Sequence, residues 1–277
     1  MIITKLQGGL ANQLFQWANG KHLSIKYQTP LFFDITFYQN QGNDTKREFA
    51  LNKFPNLIYN ILPLDWRKSF NIDQITAIKD NFQYYPLDIV AEKNYYLDGF
   101  WQSEKYFKES ELDIRKELLP DAKLNESLKN RLPFNKDIIS IHIRRTDYFN
   151  SNGFHPVQSI EYYTKAIEFF GEYDFIFVFS DDIQWCETNL KFKNMIFIRG
   201  QSDIEDMLLM SMCTHNIIAN SSFSWWGAWL NSNPDKVVVA PSPWFGNKVK
   251  INTKDIIPNN WVKIESQNTT KETLRFV

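Results

Sequence analysis

The residue types that could do chemistry cluster first in His142-Ile143-Arg144-Arg145-Thr146-Asp147-Tyr148. This heptapeptide ends a β-branched run, Asp137 to Ile143, that reads as a buried strand. Two arginines at the carboxyl end of such a strand are costly to place unless an anion sits there. A guanidinium presents a fork of donors that matches phosphate oxygens, and open α/β sheets put ligands beyond the carboxyl ends of their strands. If the extended chain continued, Arg145 and Asp147 would share one face and could form an ion pair, with Ser140, His142 and Arg144 on the other. That spacing assigns Arg144 to the phosphate and Arg145 to bracing the loop.

Further polar clusters follow at regular intervals. Ser180-Asp181-Asp182, Arg199-Gly200, Asn220-Ser221-Ser222 and Pro241-Ser242-Pro243-Trp244 each close an apolar run. Ser221 and Ser222 open a helix near Phe223, so their hydroxyls and the free backbone N–H groups make an anion cradle. Asp181 or Asp182 could accept from ribose hydroxyls or a base. Ser222 and Asp182, taken singly, are more simply helix caps; several such clusters on one sheet edge favour a site. Near the N-terminus, Gln7-Gly8-Gly9-Leu10-Ala11-Asn12-Gln13 is a glycine turn between strand and helix. Gly8 and Gly9 permit close backbone approach, and Asn12 and Gln13 offer donors, although an ordinary turn capped by Asn12 explains the segment equally well.

Several chemistries find no support. There is no G-x-G-x-x-G and no G-x-x-x-x-G-K-[ST], which disfavours a nicotinamide dinucleotide and P-loop hydrolysis. No D-x-D triplet offers a divalent metal two carboxylates, His22, His142, His155 and His215 are dispersed, and Asp203, Glu205 and Asp206 read as a solvated helix start. No metal is therefore expected. Cys186 and Cys213 are too few for a disulfide framework and wrongly spaced for zinc, which fits a reduced compartment. With 31 basic against 32 acidic residues the net charge is -1, so a nucleic-acid partner is not indicated. No stretch resembles a signal peptide or is long and apolar enough to span a bilayer. A cytoplasmic protein is expected, with peripheral membrane contact open to it because 9 Trp and 23 Phe leave room for an exposed aromatic patch.

The elements that must position these residues are clearest in the second half. Strands at 138–143, 175–179, 195–198, 216–219 and 236–240 alternate with helices at 159–170, 183–190, 204–213 and 223–231. Short β-rich runs separated by amphipathic helices make a parallel sheet covered on both faces. The first half opens with strand 2–6, helix 12–27 and strand 31–36, loses pattern over 37–95, then suggests strand 95–100 and one helix over 104–119. Leu132-Pro133-Phe134-Asn135 marks the expected boundary between domains 1–135 and 136–277. In Ser224-Trp225-Trp226-Gly227-Ala228-Trp229-Leu230, Trp226 and Trp229 read as core. Exposed tryptophans would instead allow a non-catalytic glycan-binding protein.

Nearly end to end, the chain resembles the bacterial α-1,2-fucosyltransferases of glycosyltransferase family 11. The likeness rests on Gly8-Gly9-Leu10-Ala11-Asn12-Gln13-Leu14-Phe15-Gln16, on His142 to Tyr148, and on Phe179-Ser180-Asp181-Asp182. It also rests on Asp206-Met207-Leu208-Leu209-Met210 and on Ile218-Ala219-Asn220-Ser221-Ser222-Phe223-Ser224-Trp225-Trp226. It implies a GT-B-type α/β architecture, two Rossmann-like domains facing across a cleft. It also implies GDP-β-L-fucose as donor, inversion at the anomeric carbon, no metal, and the 2-hydroxyl of a terminal galactose in an oligosaccharide as acceptor. Asn12 resembles an asparagine that related fucosyltransferases keep beside the sugar. Ala11 and Thr146 stand where the family often has glycine. The expected catalytic residues are Arg144, Asn12 and Asp147, with Asp34 as the alternative base. Expected donor-binding residues are Gly8, Gly9, His142, Arg144, Arg145, Ser180, Asp181, Asp182, Asn220, Ser221, Ser222 and Phe223. A transferase using another sugar nucleotide is the nearest alternative.

Overall fold

The computed structural model describes residues 1–42, 45–151, 153–246 and 250–266. They divide into two compact units: Met1–Asp121 with the short return Lys254–Ile256, and the described residues from Ala122 onward apart from that return.

The first unit is built on four parallel strands, β1 (Ile2–Lys5), β2 (Leu31–Asp34), β3 (Ile75–Lys79) and β4 (Asn94–Asp98), in the order β2-β1-β4-β3. Helix α1 (Leu10–Lys26) covers one face, burying Leu14, Phe15, Trp17 and Ala18. It lies close to β1, since a Cβ on Gly20 would come within 2.5 Å of Thr4 Oγ1. On the other face Leu62 and Trp66, the latter opening the one-turn helix α2 (Trp66–Ser69), pack onto Ile3 with Phe32, Ile75 and Tyr96 around them. Two features differ from expectation. Strand β3 falls in a stretch without sequence pattern, because an edge strand exposing Thr76, Ala77 and Lys79 needs no apolar alternation. The expected helix over 104–119 is two 3₁₀ turns, Glu104–Tyr106 and Lys108–Ser110, followed by α3 (Glu111–Glu117). Tyr106 and Phe107 are consecutive yet both buried, which one continuous amphipathic helix does not provide.

The second unit starts with α4 (Ala122–Lys129). It continues β5 (Ile138–Ile143), α5 (Ile160–Phe170), β6 (Phe175–Ser180), α6 (Ile183–Asn189), β7 (Met195–Phe197), α7 (Asp203–Met212), β8 (His215–Ile217), α8 (Ser222–Leu230), β9 (Val238–Ser242) and β10 (Val262–Glu265). All six strands are parallel in the order β10-β9-β8-β5-β6-β7. Strand β5 is buried along its whole length, and Ile139, Ile141 and Ile143 join Tyr162, Tyr163, Val178, Ile217 and Val239 in the core. Strand β10 extends the expected five, and α4 lies N-terminal to the expected boundary.

Each sheet has one place where the chain changes direction of travel. From β5 it runs outward through β6 and β7, then returns to β8 on the other side of β5. In the first unit β2 lies on one side of β1 and β4 on the other. The crevices beyond β5/β8 and β1/β4 are therefore the topological switch points, where open α/β sheets bind ligands.

Candidate active site

Beyond β5 the extended chain stops. Asp147 is helical (φ -73, ψ -23) and caps the 3₁₀ turn Tyr148–Asn150. The alternation drawn through Asp147 therefore fails, and its carboxylate folds back onto Arg144 rather than Arg145. Arg144 donates from Nε and Nη2 to the two oxygens of Asp147 at 2.8 and 2.6 Å. Nε also lies 3.3 Å from Asp181. Burial alone would lower the Arg144 pKa, but the Asp147 hydrogen bonds and the charges of Asp181 and Asp147 outweigh it and raise the pKa. Arg145 is buried at 5% exposure. Its guanidinium lies 3.5 Å from the Trp185 ring centroid, 4.8 Å from that of Phe149 and 3.2 Å from Asp182. It braces the loop, with Asp182 and Trp185 as its partners.

The two aspartates after β6 are occupied by the loop itself. Asp181 accepts from the backbone N–H groups of Arg145 and Thr146 at 2.9 and 3.1 Å and from the Thr146 hydroxyl. Threonine at 146 thus adds a donor that glycine would lack. Asp182 caps α6 by accepting from Trp185 N, and Ser180 Oγ accepts from Asp182 N. Beyond β8, Ser221 is the N-cap of α8, accepting from Phe223 N at 3.3 Å, and Ser222 is the helix's first residue. Asn220 is fully engaged: its amide receives Gln158 Nε2 and donates to Trp244 O, and its carbonyl receives the Tyr148 hydroxyl. His142, buried beneath, has its ring 5.6 Å from Phe223. Burial and the neighbouring Arg144 charge push its pKa down to about 3 against the pull of Asp181, so the imidazole is neutral. The switch point of this unit accordingly carries one part-exposed guanidinium, a helix N-terminus and no free carboxylate among the expected residues.

In the first unit the glycine turn is clamped by buried amides. Gln16 holds both backbone groups of Gln7, accepting at 2.9 Å and donating at 3.3 Å. Gln13 donates to Gly8 O and Glu48 O and accepts from Ala50 N, and the Tyr38 hydroxyl also reaches Gly8 O. Gly8 sits at φ +77, and a Cβ there would lie 2.7 Å from Asn12 Nδ2. A Cβ on Gly9 would meet the Arg47 side chain at 3.8 Å. Asn12 Oδ1 accepts from Gln102 Nε2 at 2.9 Å. Asp34 is sequestered: it accepts from Thr36 N, the Tyr96 hydroxyl at 2.8 Å and Arg67 at 2.8 Å. Burial raises its pKa, yet the Thr36 and Tyr96 hydrogen bonds and the Arg67 charge leave it below the usual carboxylate range.

In the sequence, Gly99-Phe100-Trp101-Gln102 is the most suggestive segment of residues 37–110, though a buried strand end explains it equally well. Asp80 and the clamping roles of Gln13 and Gln16 are not read from it, although two glutamines one helical turn apart are visible. Asp206 reads there as solvated. One of its carboxylate oxygens is buried without a hydrogen bond, and burial, reinforced by Glu205, pushes its pKa up to about 6. Trp225, Trp226 and Trp229 are buried against Trp261 and one another, so these tryptophans offer no surface for stacking on a glycan.

Comparison with known proteins places this arrangement. The description of glycosyl transferase family 11 matches residues 65–265. An alpha-1,2-colitosyltransferase of Escherichia coli is 32% identical, with 96% of this chain and 99% of that protein covered. The O-antigen biosynthesis glycosyltransferase WbnK of Escherichia coli is 34% identical, covering 94% and 99%. The crystal structure of POFUT1 in complex with GDP-fucose superposes with a TM-score of 0.51 at 12% identity, over 86% of this chain and 97% of that one. At that identity the likeness speaks to the fold, a GT-B-type pair of Rossmann-like units. The chain belongs to glycosyl transferase family 11 and is a glycosyltransferase.

Proposed function

We propose that this glycosyltransferase moves L-fucose from GDP-β-L-fucose to the 2-hydroxyl of a terminal galactose in an oligosaccharide, with inversion and without a metal. The observation that carries the reading is that Arg144 and the α8 N-terminus follow the carboxyl ends of the neighbouring strands β5 and β8, at the switch point. Asp147 takes the Nε/Nη2 edge of the guanidinium, leaving donors on the Nη1 side for a phosphate. As the galactose hydroxyl attacks C1, the C1–O bond to GDP breaks and negative charge grows on the β-phosphate. A preformed cation and helix N-terminus stabilise that charge more than they stabilise the bound donor. Asn12 orients a reacting sugar. Asp147 is the proposed base and Asp34 the alternative; each carboxylate is held by an arginine, Arg144 and Arg67 respectively.

The test is GDP release from GDP-fucose in EDTA, with and without lactose or N-acetyllactosamine, beside Arg144→Ala. Acceptor-stimulated release that survives EDTA and is lost in the variant supports the reading. No binding or turnover of GDP-fucose with a panel of galactosides overturns the donor assignment. The colitosyltransferase relative favours one specific second reading, colitose in place of fucose as the sugar transferred. A site that hydrogen-bonds the 3-hydroxyl of fucose would reject colitose, which lacks it, by several orders of magnitude. Comparing kcat/KM for the two donors separates the readings.

A further inference from the structure

At the switch point of the first unit, three features converge on one amide. Asp80 follows β3 and its carboxylate gathers backbone donors: Phe82 N at 2.9 Å, Phe100 N at 3.1 Å and Trp101 N at 3.0 Å. The chain can wrap so tightly only because residue 99 is glycine, where a Cβ would fall 2.0 Å from Asp80 Cβ. Trp101 is driven to φ +56, a left-handed conformation costly for a bulky side chain, although its indole is wholly buried. Ser103 N then closes onto Trp101 O at 2.7 Å, a three-residue turn with Gln102 at its apex. Strain of this kind persists only where the surroundings impose it. What it achieves here is to set Gln102 Nε2 on Asn12 Oδ1 at 2.9 Å.

The contact places the Asn12 amide oxygen toward Gln102. With Oδ1 engaged, Nδ2 is left over the bare Cα of Gly8, and it donates to no group among the described residues. We propose that Gln102 is a positioning residue that locks Asn12 with its NH2 outward, as a hydrogen-bond donor to an oxygen of the reacting sugar. The Asp80-held turn at Trp101 is what delivers Gln102 to that task. The inference rests on the reading of Asn12 as a substrate contact and adds the device that orients it.

Glutamate at 102 is the decisive substitution. Its carboxylate accepts from Nδ2 instead of donating to Oδ1, so the Asn12 amide turns over and presents an acceptor where the sugar requires a donor. Gln102→Glu should lower kcat for GDP-fucose transfer to lactose by about 30- to 100-fold, a few kcal/mol of misplaced hydrogen bonding. Gln102→Leu, which merely frees the amide, should cost about 3- to 10-fold. In an Asn12→Ala background, Gln102→Glu should change kcat less than twofold, because a residue acting through another has nothing left to orient. The side-chain amide ¹⁵N–¹H signals of Asn12, assigned by their loss in Asn12→Ala, should shift in Gln102→Glu without any substrate.

Full multiplicative loss in the double variant, or unmoved Asn12 signals in Gln102→Glu, overturns the relay while leaving Asn12 as a substrate contact. Asn12→Ala within twofold of wild type overturns the role of Asn12 and the relay together. Should GDP-fucose prove the wrong donor, the amide signals still decide whether Gln102 orients Asn12.

Discussion

The adjacent arginines should separate cleanly into function and stability. Arg144 is about one-quarter exposed and pairs with an Asp147 that is about one-third exposed, so solvent screens the pair. Removing it should cost about 1 kcal/mol of stability or less. For a chain of this size that is a fall in Tm of about 2–4 °C. Its catalytic cost should be far larger, about 10²–10³ in kcat/KM, if it meets the charge that grows on the leaving phosphate. Arg145 reverses the balance. It is buried between Trp185 and Phe149 and pairs with Asp182, which is 31% exposed, so the charge left behind is partly solvated. Lost cation–π contact and a broken, mostly buried pair together cost about 3 kcal/mol, or roughly 6–12 °C in Tm. The assay pairs initial rates of acceptor-stimulated GDP release with thermal melts of Arg144→Ala and Arg145→Ala at matched concentration. The reasoning is refuted if Arg144→Ala melts more than 10 °C lower, or if Arg145→Ala keeps its Tm while losing activity as deeply as Arg144→Ala.

Three further outcomes are expected. Asp206→Asn should be more stable than wild type at pH 8 and indistinguishable at pH 4, in melts across that range. The carboxyl is protonated in both states below about pH 4 and, with its folded pKa raised to about 6, destabilises the fold increasingly as pH rises through that value. The rise from the usual carboxylate range to about 6 corresponds to about 3 kcal/mol, of which screening at this part-exposed group leaves about 1 kcal/mol. Gly8→Ala should lower turnover at least tenfold, by left-handed strain and displacement of Asn12, whereas Gly171→Ala, at φ +71 with open space around it, should cost only about 1 kcal/mol of stability. Activity in EDTA should stay within twofold of that in added magnesium or manganese; a larger dependence removes the metal-free reading.

What was legible in the sequence depended on how local the cause was. Strand β5 matches its expected span residue for residue, because four isoleucines in six consecutive buried positions mark it as a strand. Strand β3 escaped notice because it borders the sheet and needs no such pattern. The pairing of Asp147 differs from expectation because alternation holds only while the chain is extended, and the 3₁₀ turn begins at Tyr148, five residues after Ile143. The Trp101 conformation could not be anticipated at all. Its cause is a carboxylate 21 residues upstream that meets it only across the β3–β4 pairing. Asp206 was assigned to solvent from its place in a helix's first turn, and only packing around that turn decides otherwise.

The two switch points differ in chemistry. Around β5/β8 the functional groups are ions: Arg144, Arg145, Asp147, Asp181 and Asp182 hold one another in a fixed lattice. Around β1/β4, beside the Lys5–Asp98 ion pair and the Asp80 carboxylate, the groups that hold the glycine turn and Asn12 are neutral amides: Gln13 and Gln16 fix the turn, and Gln102 fixes Asn12. A phosphate gains most from a preset cation, because field strength in a part-buried site exceeds that in water. A sugar hydroxyl gains little from a charge and is selected by whether donors and acceptors face the right way. Amides carry both on one planar group and titrate with neither, so their orientation has to be imposed by a further partner. The strained turn at Trp101, whose φ is +56, supplies that partner, Gln102, one position on.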